Sequence, residues 1–493
     1  MASSSILAPT VIDYTNHAHL GDLVRSTSKE LSPASELVSK VGGIVSSTTE
    51  TFVRRVDSYV EDETPIVNPE FKLPSWRSLF VVIGGNALFQ LSFFVIVSSA
   101  SVYAELLGGT ATFAGLTIGI PTLFSGICLV FITRLDKGQY AGPFNIAYAA
   151  AFLGNVIYAL AYRANWLYLI LIGRMVSGFG FISFLYSKRY CSDPRIVGIR
   201  RRTTLASWLV IGQAFGFSAG PFFGGVLYKI GLKNRIFNGV TSPGWIMAVV
   251  WIIFWGLSIV MFQDVSPRHD PEPVELTMSN TLNQSSPAPT DVRSHHRYIS
   301  PRQWGVIVCM CYYAMTCFFI LGSWEANIPV FTAEALGYSP YNAGNFIALG
   351  GVCSFPFLLL NVWYARRVQD RVILAIGSTL GLVGLLIMLA ILLADRVTFG
   401  SFFVCWFLIA LGFNLASTCT LSLLSKQLPD TWNSKISMAI QYSNYTGRVT
   451  GAILGGAGVK IGMVNYTIIQ IAIVGLGGLM YTTLWKQMKA KAG

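Results

Sequence analysis

The sequence predicts an α-helical membrane protein of twelve spans, organised as two related halves of six spans each. Of its 493 residues 53% are apolar and only 12% are charged, and the mean hydropathy is +0.56. Soluble proteins carry about 25% charged residues. Many apolar runs reach the length of about 20 residues that a helix needs to cross a bilayer. A glycine pattern found in the first half also recurs in the second.

The apolar runs are separated by short polar loops and flanked by polar tails. The predicted spans are 78–104, 112–133, 144–162, 166–186, 204–228, 245–262, 304–328, 341–364, 372–393, 402–424, 436–458 and 464–485. The two halves therefore cover residues 77–262 and 304–485, with a Pro- and Ser-rich linker at 263–303 and a basic tail at 486–493. Residues 1–76 lack the basic start and apolar core of a signal peptide, so the first span is expected to act as an uncleaved insertion signal.

Lys and Arg are distributed unevenly between the two sets of loops. Loops 2–3, 4–5, 6–7, 8–9 and 10–11 hold seventeen of them, and the loops of the other set hold six. Positively charged loops stay in the cytosol. Both tails and the 263–303 linker are therefore predicted to be cytosolic, and this topology accounts for the net charge of +12 without nucleic-acid binding.

Motifs of the first half recur in the second at offsets of 231 or 234 residues. The fifth span contains G-x-x-x-G-P-x-x-G-G, and the eleventh contains G-x-x-x-G-A-x-x-G-G. The recurring positions are Asp136, Lys137, Gly178, Gly216, Gly220, Pro221, Gly224 and Gly225, matched by Asp370, Arg371, Gly412, Gly447, Gly451, Ala452, Gly455 and Gly456. Duplication of a six-helix unit in parallel orientation explains these matches.

Two of the motifs resemble signatures of the major facilitator superfamily. The stretch from Gly216 to Gly225 is similar to its fifth-helix antiporter motif, and Arg174-x-x-x-Gly178-x-Gly180 resembles its fourth-helix motif. The loop 2–3 signature is degraded, because Ile132 replaces its leading glycine and the trailing basic pair is missing. The resemblance implies the major facilitator fold, with a cavity lined by spans one, four, seven and ten, and it makes the recurring positions candidate gating or helix-packing residues.

A further stretch, from Asn238 to Trp245, resembles the branch that holds lysosomal ceroid-lipofuscinosis transporters and plant SPX-domain vacuolar transporters. Fungal peroxisomal carriers of β-lactam intermediates are broadly similar. The 76-residue tail is too short for an SPX domain, so phosphate is not implied as the substrate. The resemblance favours an endomembrane, that of a vacuole, lysosome or peroxisome, over the plasma membrane.

Only three charged side chains fall well inside the predicted spans: Arg174, Arg448 and Glu325. Charges in the bilayer are costly and typically functional. Each arginine could bind an anion or couple protons, or could instead brace a helix. Glu325 could couple protons or lie near the outer surface, and its pairing with Arg174 stays open. All five histidines lie outside the spans, which excludes a histidine proton relay there.

Amide side chains complete the predicted substrate-binding or coupling set. Asn86 and Gln90 share one helix face, and Gln441 and Asn444 lie about one turn before Arg448. The resemblance adds Asn414 of the tenth span to this set. The alternative for each amide is hydrogen bonding between helices.

The N-terminal tail carries an apolar stripe at helical spacing. It is formed by Leu37, Val41, Ile44, Val45, Phe52, Val56 and Tyr59. The stripe favours an amphipathic helix that lies on the membrane or binds a targeting partner. The Ser- and Thr-rich composition is equally consistent with disorder.

Together these features predict a secondary active transporter that moves a small organic solute by alternating access. The solute is expected to be anionic or zwitterionic, such as a metabolite or secondary metabolite. The resemblance of the fifth-span motif implies antiport, with protons as the expected coupling ion. The expected partners are the solute, protons and the bilayer, with the monomer as the functional unit and neither cofactor nor metal. Alternatives are a non-transporting sensor with this fold and a peroxisomal carrier of biosynthetic intermediates. No cluster suited to catalysis occurs, so an enzyme is not expected.

Overall fold

The computed structural model describes residues 69–134, 138–193, 195–231, 234–265, 300–364, 368–428 and 432–489, and helices dominate these ranges. The first span is made of Trp76–Leu79, Phe80–Gly84, Gly85–Phe94 and Ala100–Leu106. The others are Ala111–Arg134, Ala141–Ala164, Leu167–Gly180 with Ile182–Ser192, Ile199–Ile230, Ser242–Met261, Pro301–Leu336, Pro340–Tyr364, Asp370–Leu393, Phe399–Gln427, Asn433–Ile461 and Met463–Leu484. Each predicted span thus coincides with helical segments.

Eleven of these helical segments are long and apolar enough to cross a membrane. The remaining segment, Asn433–Ile461 of the eleventh span, has 29 residues but a more polar composition. It packs against the second and the seventh spans. Polar side chains such as Arg448 are buried within these contacts, which explains why this helix is less apolar than its neighbours.

The first span is interrupted at Val95–Ser99, where the sequence predicts one continuous apolar run. Non-helical backbone is tolerated at membrane depth only where protein or a water-filled cavity covers it. Here it is covered by protein, because Ser98 and Ser99 are fully buried and a Cβ atom at Gly224 of the fifth span would fall on the Val95 carbonyl.

The fourth span runs to Ser192, six residues beyond the predicted boundary, with a turn at Phe181. Cys191, which follows the predicted boundary, is therefore a buried residue at the end of this helix. All eight cysteines are free thiols.

The repeated glycine motifs make equivalent contacts in the two halves. Added Cβ atoms at Gly216, Gly220 and Gly224 would fall on the first span, and those at Gly447, Gly451 and Gly455 would fall on the seventh. Small residues at such positions let helix backbones approach closely. Gly178 and Gly412 are not equivalent in this way, because Gly178 faces the second span and Gly412 the ninth.

Two seams join the first six spans to the last six. In one, the second span packs on the eleventh: Gly115 lies against Ala452, and the Tyr442 hydroxyl donates to the Gly126 carbonyl at 3.1 Å. In the other, the fifth span packs on the eighth, where a Cβ atom at Gly225 would lie 3.0 Å from the Tyr341 Cα. Lys229 adds a cation–π contact there, with its Nζ 4.4 Å from the Tyr341 ring centroid.

The side of the bundle with the basic loops, called here the basic face, carries a polar network among the first six spans. Arg195 binds Asp193 at 2.7 Å and donates to the Gly138 carbonyl, and the Tyr140 hydroxyl donates to Asp193 at 2.8 Å. Lys72, just before the first span, donates to the Arg195 carbonyl at 2.8 Å. The network ties loops 2–3 and 4–5 to the start of the first span.

Several predicted features lie outside the described residues. These are the tail stripe from Leu37 to Tyr59, the loop 2–3 pair Asp136 and Lys137, and residues 266–299 of the linker. Their predictions stay predictions.

Candidate substrate and coupling site

Glu325 of the seventh span and Arg448 of the eleventh form a buried ion pair between Oε2 and Nη2. Glu325 is 1% exposed and Arg448 is 8% exposed. A carboxylate solvated near the surface, one of the two alternatives for Glu325, does not fit this burial. Removing either partner would leave the other charge uncompensated in a low-dielectric interior, which is strongly unfavourable.

Close packing of the seventh and eleventh spans brings the pair together. A Cβ atom at Gly322, one turn before Glu325, would lie 3.1 Å from the Arg448 carbonyl oxygen. On the eleventh span, Gly451 and Gly455 likewise let the seventh span approach closely. The glycine motif of the eleventh span therefore positions an ion pair as well as a helix.

Aromatic rings surround the Arg448 guanidinium. Its Cζ lies 4.8 Å from the ring centroid of Phe93, 5.1 Å from that of Phe94 and 6.0 Å from that of Phe318. Ring faces attract a desolvated cation. Phe93 and Phe94 belong to the first span, so Arg448 is held by both halves of the protein.

Arg174 of the fourth span is 3% exposed and differs from Arg448 in having no acidic partner among the described residues. Its Nε donates to the Thr117 carbonyl at 3.1 Å, and its Cζ lies 5.2 Å from the Phe93 ring centroid. Its Nη2 is buried without a hydrogen-bond partner in the part of the chain that the structure describes. Such an unpaired buried donor is uncommon in folded proteins.

Phe93 contacts both guanidinium groups. Since each Cζ is about 5 Å from the same ring centroid, the Arg174 and Arg448 Cζ atoms lie within about 10 Å of each other. At an effective dielectric constant of about 20, two like charges at that distance repel by roughly 2 kcal/mol. The Phe93 ring, which both guanidinium groups contact, and Glu325 beside Arg448 offset this repulsion.

The structure brings Arg448 and Glu325 together and places the predicted amides less centrally. Asn86 donates to the Leu209 carbonyl and accepts from Gln213, so it joins the first span to the fifth. Gln90 lies beside Gly216 of the same fifth span. Asn414 donates to the Ala410 carbonyl within its own helix. The contacts of Asn86 match the alternative of hydrogen bonding between helices, whereas the hydrogen bond of Asn414 stays within its own helix.

Near Arg448, the eleventh span presents both remaining amides. Gln441 interacts with the Tyr445 hydroxyl, which also accepts a hydrogen bond from Ser125 of the second span. Asn444 keeps a buried side-chain oxygen without a partner among the described residues. Asn444 therefore retains hydrogen-bonding capacity for a solute.

The repeat of the loop 2–3 motif, Asp370–Arg371, stabilises the basic face of the second half. Asp370 accepts a hydrogen bond from Ser422 at 2.7 Å. Arg371 donates to the Trp485 carbonyl at 3.2 Å and stacks on the Trp485 ring at 4.6 Å. In this structure both residues join helix ends within the last six spans.

Sequence reasoning missed Phe93, Thr117 and Tyr158 as neighbours of the charged groups. An aromatic residue in an apolar run carries no signal of its role, and a backbone acceptor such as that of Thr117 carries none at all. Among the described residues, no group of three or more His, Cys, Asp or Glu side chains could hold a metal ion.

Comparison with known proteins matches this architecture. The Major Facilitator Superfamily profile matches residues 82–452. A protein of Schizosaccharomyces pombe, described as an uncharacterized MFS-type transporter, is 31% identical over 456 residues, covering 91% of this chain and 89% of that protein. An SPX domain-containing membrane protein of Arabidopsis thaliana is 32% identical over 212 residues, which is 42% of this chain and 29% of that protein.

Among solved structures, a D-xylose–proton symporter superposes with a TM-score of 0.62 at 16% identity, covering 83% of this chain and 97% of that one. At this identity the likeness establishes the fold alone.

Proposed function

The chain belongs to the major facilitator superfamily and is a membrane transporter, and we propose that it carries a small organic anion or zwitterion in exchange for protons. The observation that carries the proposal is the buried Glu325–Arg448 ion pair. One proton on Glu325 would neutralise the carboxylate, weaken the pair and leave Arg448 with an uncompensated charge. A carrier needs such a titratable switch if a proton gradient is to bias its inward- and outward-open populations.

The contacts between the halves support alternating access. Gly225 with Tyr341 and Gly115 with Ala452 lie towards the ends of their spans that face away from the basic face, so the halves are closed against each other on that side. A rocking motion would separate these contacts and open the site to the compartment on the side away from the basic face. The fifth-span glycine motif, which forms the contact to the first span, favours antiport.

We place the transporter in an endomembrane, with both tails and the linker in the cytosol and the monomer as the functional unit. The membrane assignment rests on the sequence resemblance of Asn238–Trp245, and the orientation rests on the loop asymmetry. A metabolite or secondary metabolite is the solute class that this proposal covers.

Uptake by the purified full-length chain in vesicles tests the proposal. Radiolabelled organic acids and amino acids are offered with the vesicle interior acidic, with the interior alkaline, and with the gradient collapsed by a protonophore. Antiport predicts that an acidic interior stimulates uptake, because protons leave as solute enters. Stimulation by an alkaline interior would contradict antiport. Uptake that is independent of the gradient would contradict proton coupling, and absence of uptake of every offered solute would contradict the proposed solute class.

A further inference from the structure

We propose that Arg174 and Tyr158 form a carboxylate-binding site within the first six spans, and that the solute is an organic acid held there by its carboxylate. Transport of that acid rests on the proposed function, whereas its binding does not.

The Arg174 guanidinium is fixed but only partly used. Its Nε is bonded to the Thr117 carbonyl, and one face lies on the Phe93 ring, so the group has a defined orientation. Its Nη2 points into the protein interior without an acceptor among the described residues. Arginine offers a planar fork of donors that matches a carboxylate, so an oriented guanidinium with a free nitrogen suits such a ligand.

Tyr158 of the third span supplies a second free donor. It is 2% exposed, and its hydroxyl also lacks a partner in the described part of the chain. Its backbone is anchored, because the Tyr103 hydroxyl donates to its carbonyl at 3.0 Å and Gly173 packs against its amide nitrogen. Gly173 directly precedes Arg174, and Tyr158 lies within electrostatic range of the Arg174 charge. Two buried, unsatisfied donors thus lie within electrostatic range of each other, on the third and fourth spans, which pack together at Gly173.

The charge balance of the spans identifies the missing group as an anion. Glu325, the acid inside the predicted spans, is already paired with Arg448. Arg174 therefore keeps an uncompensated positive charge, which a bound carboxylate would neutralise. A cation would be repelled, and a neutral solute would leave the charge unpaired.

Ligand-induced thermal stabilisation of the detergent-solubilised full-length protein tests the site. The probes are acetate, benzoate and succinate, with benzyl alcohol as the neutral and benzylamine as the cationic counterpart of benzoate, and with inorganic phosphate. We expect at least one carboxylate to raise the melting temperature saturably, with benzyl alcohol and benzylamine without effect. Arg174→Lys should weaken the apparent affinity about tenfold or more, and Tyr158→Phe should weaken it several-fold. The matched controls are Arg163→Lys and Tyr162→Phe, both exposed positions near the end of the third span.

Three outcomes would overturn the site: none of the carboxylates stabilises the wild type, phosphate binds more tightly than all three, or Arg174→Lys binds as well as wild type. Because Tyr158→Phe removes a single oxygen, it tests the site even if Arg174 variants do not fold.

Vesicle uptake of the bound acid separates the two proposals. Binding that depends on Arg174, without gradient-driven uptake, would leave the site standing and refute the transport proposal. Gradient-driven uptake that persists in Arg174→Met would refute the site alone.

Discussion

Glu325 and Arg448 pair inside the protein although they are 123 residues apart and lie on different spans. The pair is flanked by Phe93 and Phe94 of the first span, so it touches both halves of the bundle. A change in its charge therefore acts at the interface that the proposed alternating access would remodel. This relationship makes Glu325 the residue whose neutralisation should be most informative.

We expect Glu325→Gln to retain solute exchange and to lose stimulation by a pH gradient. The amide keeps the size of the side chain and can still accept from Arg448, but it cannot release or bind a proton. The measurement is uptake and counterflow in vesicles at several gradients. Glu334→Gln, at an exposed position past the transmembrane core, is the matched control. Gradient stimulation that survives in Glu325→Gln would assign proton coupling to another group, with Glu105 the next candidate.

The fifth span offers a test of close helix packing. A Cβ atom at Gly220 would fall on the Phe94 side chain and lie 3.1 Å from the Leu91 carbonyl oxygen. Overpacking of this kind costs roughly 1–3 kcal/mol. We expect Gly220→Leu to reach the membrane and to transport poorly, because it separates spans that must stay in contact as the halves move. Gly256→Leu is the control, since no atom lies within 4 Å of a Cβ built there. Equal transport by the two variants would show that the motif is incidental.

The seam between Gly225 and Tyr341 can be locked. A Cβ atom at Gly225 would lie 3.0 Å from the Tyr341 Cα, which is compatible with the Cβ–Cβ distance of about 3.5–4.5 Å in disulfides. We expect the Gly225→Cys/Tyr341→Cys variant to crosslink under mild oxidation, to stop transporting and to recover in reductant. Cleavage in the 263–303 linker followed by a non-reducing gel reports the crosslink.

The two single-cysteine variants control for the eight native thiols, and Gly256→Cys/Tyr341→Cys controls for non-specific coupling. Crosslinking without loss of transport would mean that this seam does not open during the transport cycle.

Asp193 gives the basic-face network a defined pH dependence. Burial alone would raise the pKa of this carboxyl, but hydrogen bonds from Arg195 and Tyr140 outweigh it, so the pKa lies below its ordinary value. A carboxyl whose pKa is lowered by folding contributes stability above its unfolded pKa of about 3.9, and that contribution is lost as the pH falls through the folded pKa.

We therefore expect the melting temperature of Asp193→Asn to lie below that of wild type by a constant amount above about pH 5, with the difference shrinking below about pH 4. Glu334→Gln, at an exposed position, should show no such difference. A difference that does not change with pH would mean that the amide disrupts packing and that the charge of Asp193 contributes nothing.

The spans were predictable because lipid imposes a length and an apolar composition on every spanning helix. The interruption at Val95–Ser99 was not, because Val95, Ile96 and Val97 continue the apolar run without a proline or glycine to mark the break. The glycine repeat predicted which helices are related, and the structure adds what each motif touches.

The sequence identified Arg174, Arg448 and Glu325 inside the predicted spans but did not pair Glu325 with Arg448. Depth estimated along a helix assumes that the helix starts at the membrane surface. The seventh helix has 36 residues, or roughly 54 Å at 1.5 Å per residue, which exceeds the bilayer core of about 30 Å. The position of Glu325 along this helix therefore left both of its alternatives open, and its contact with Arg448 depends on helix packing that a single sequence does not encode locally.

The last prediction concerns Phe93, whose ring contacts both arginines and which is 3% exposed. Leucine at this position keeps an apolar side chain but removes the ring face that attracts both guanidinium groups. A desolvated cation–π contact contributes about 0.5–2 kcal/mol. Arg448 keeps Glu325, Phe94 and Phe318 as neighbours, whereas Arg174 keeps the Thr117 carbonyl as its hydrogen-bond acceptor. Phe93→Leu should therefore destabilise mainly through Arg174.

A double-mutant cycle isolates that contribution from the loss of packing. We expect Phe93→Leu to lower the melting temperature less in an Arg174→Met background than in wild type, because the contact has already been removed there. Phe94→Leu is the matched control: its ring contacts Arg448 and packs on Phe93, so its effect should be the same in both backgrounds. If Phe93→Leu and Arg174→Met are strictly additive, the ring packs beside Arg174 without stabilising its charge. Arg174 would then depend on the Thr117 carbonyl and on the anion that we propose it binds.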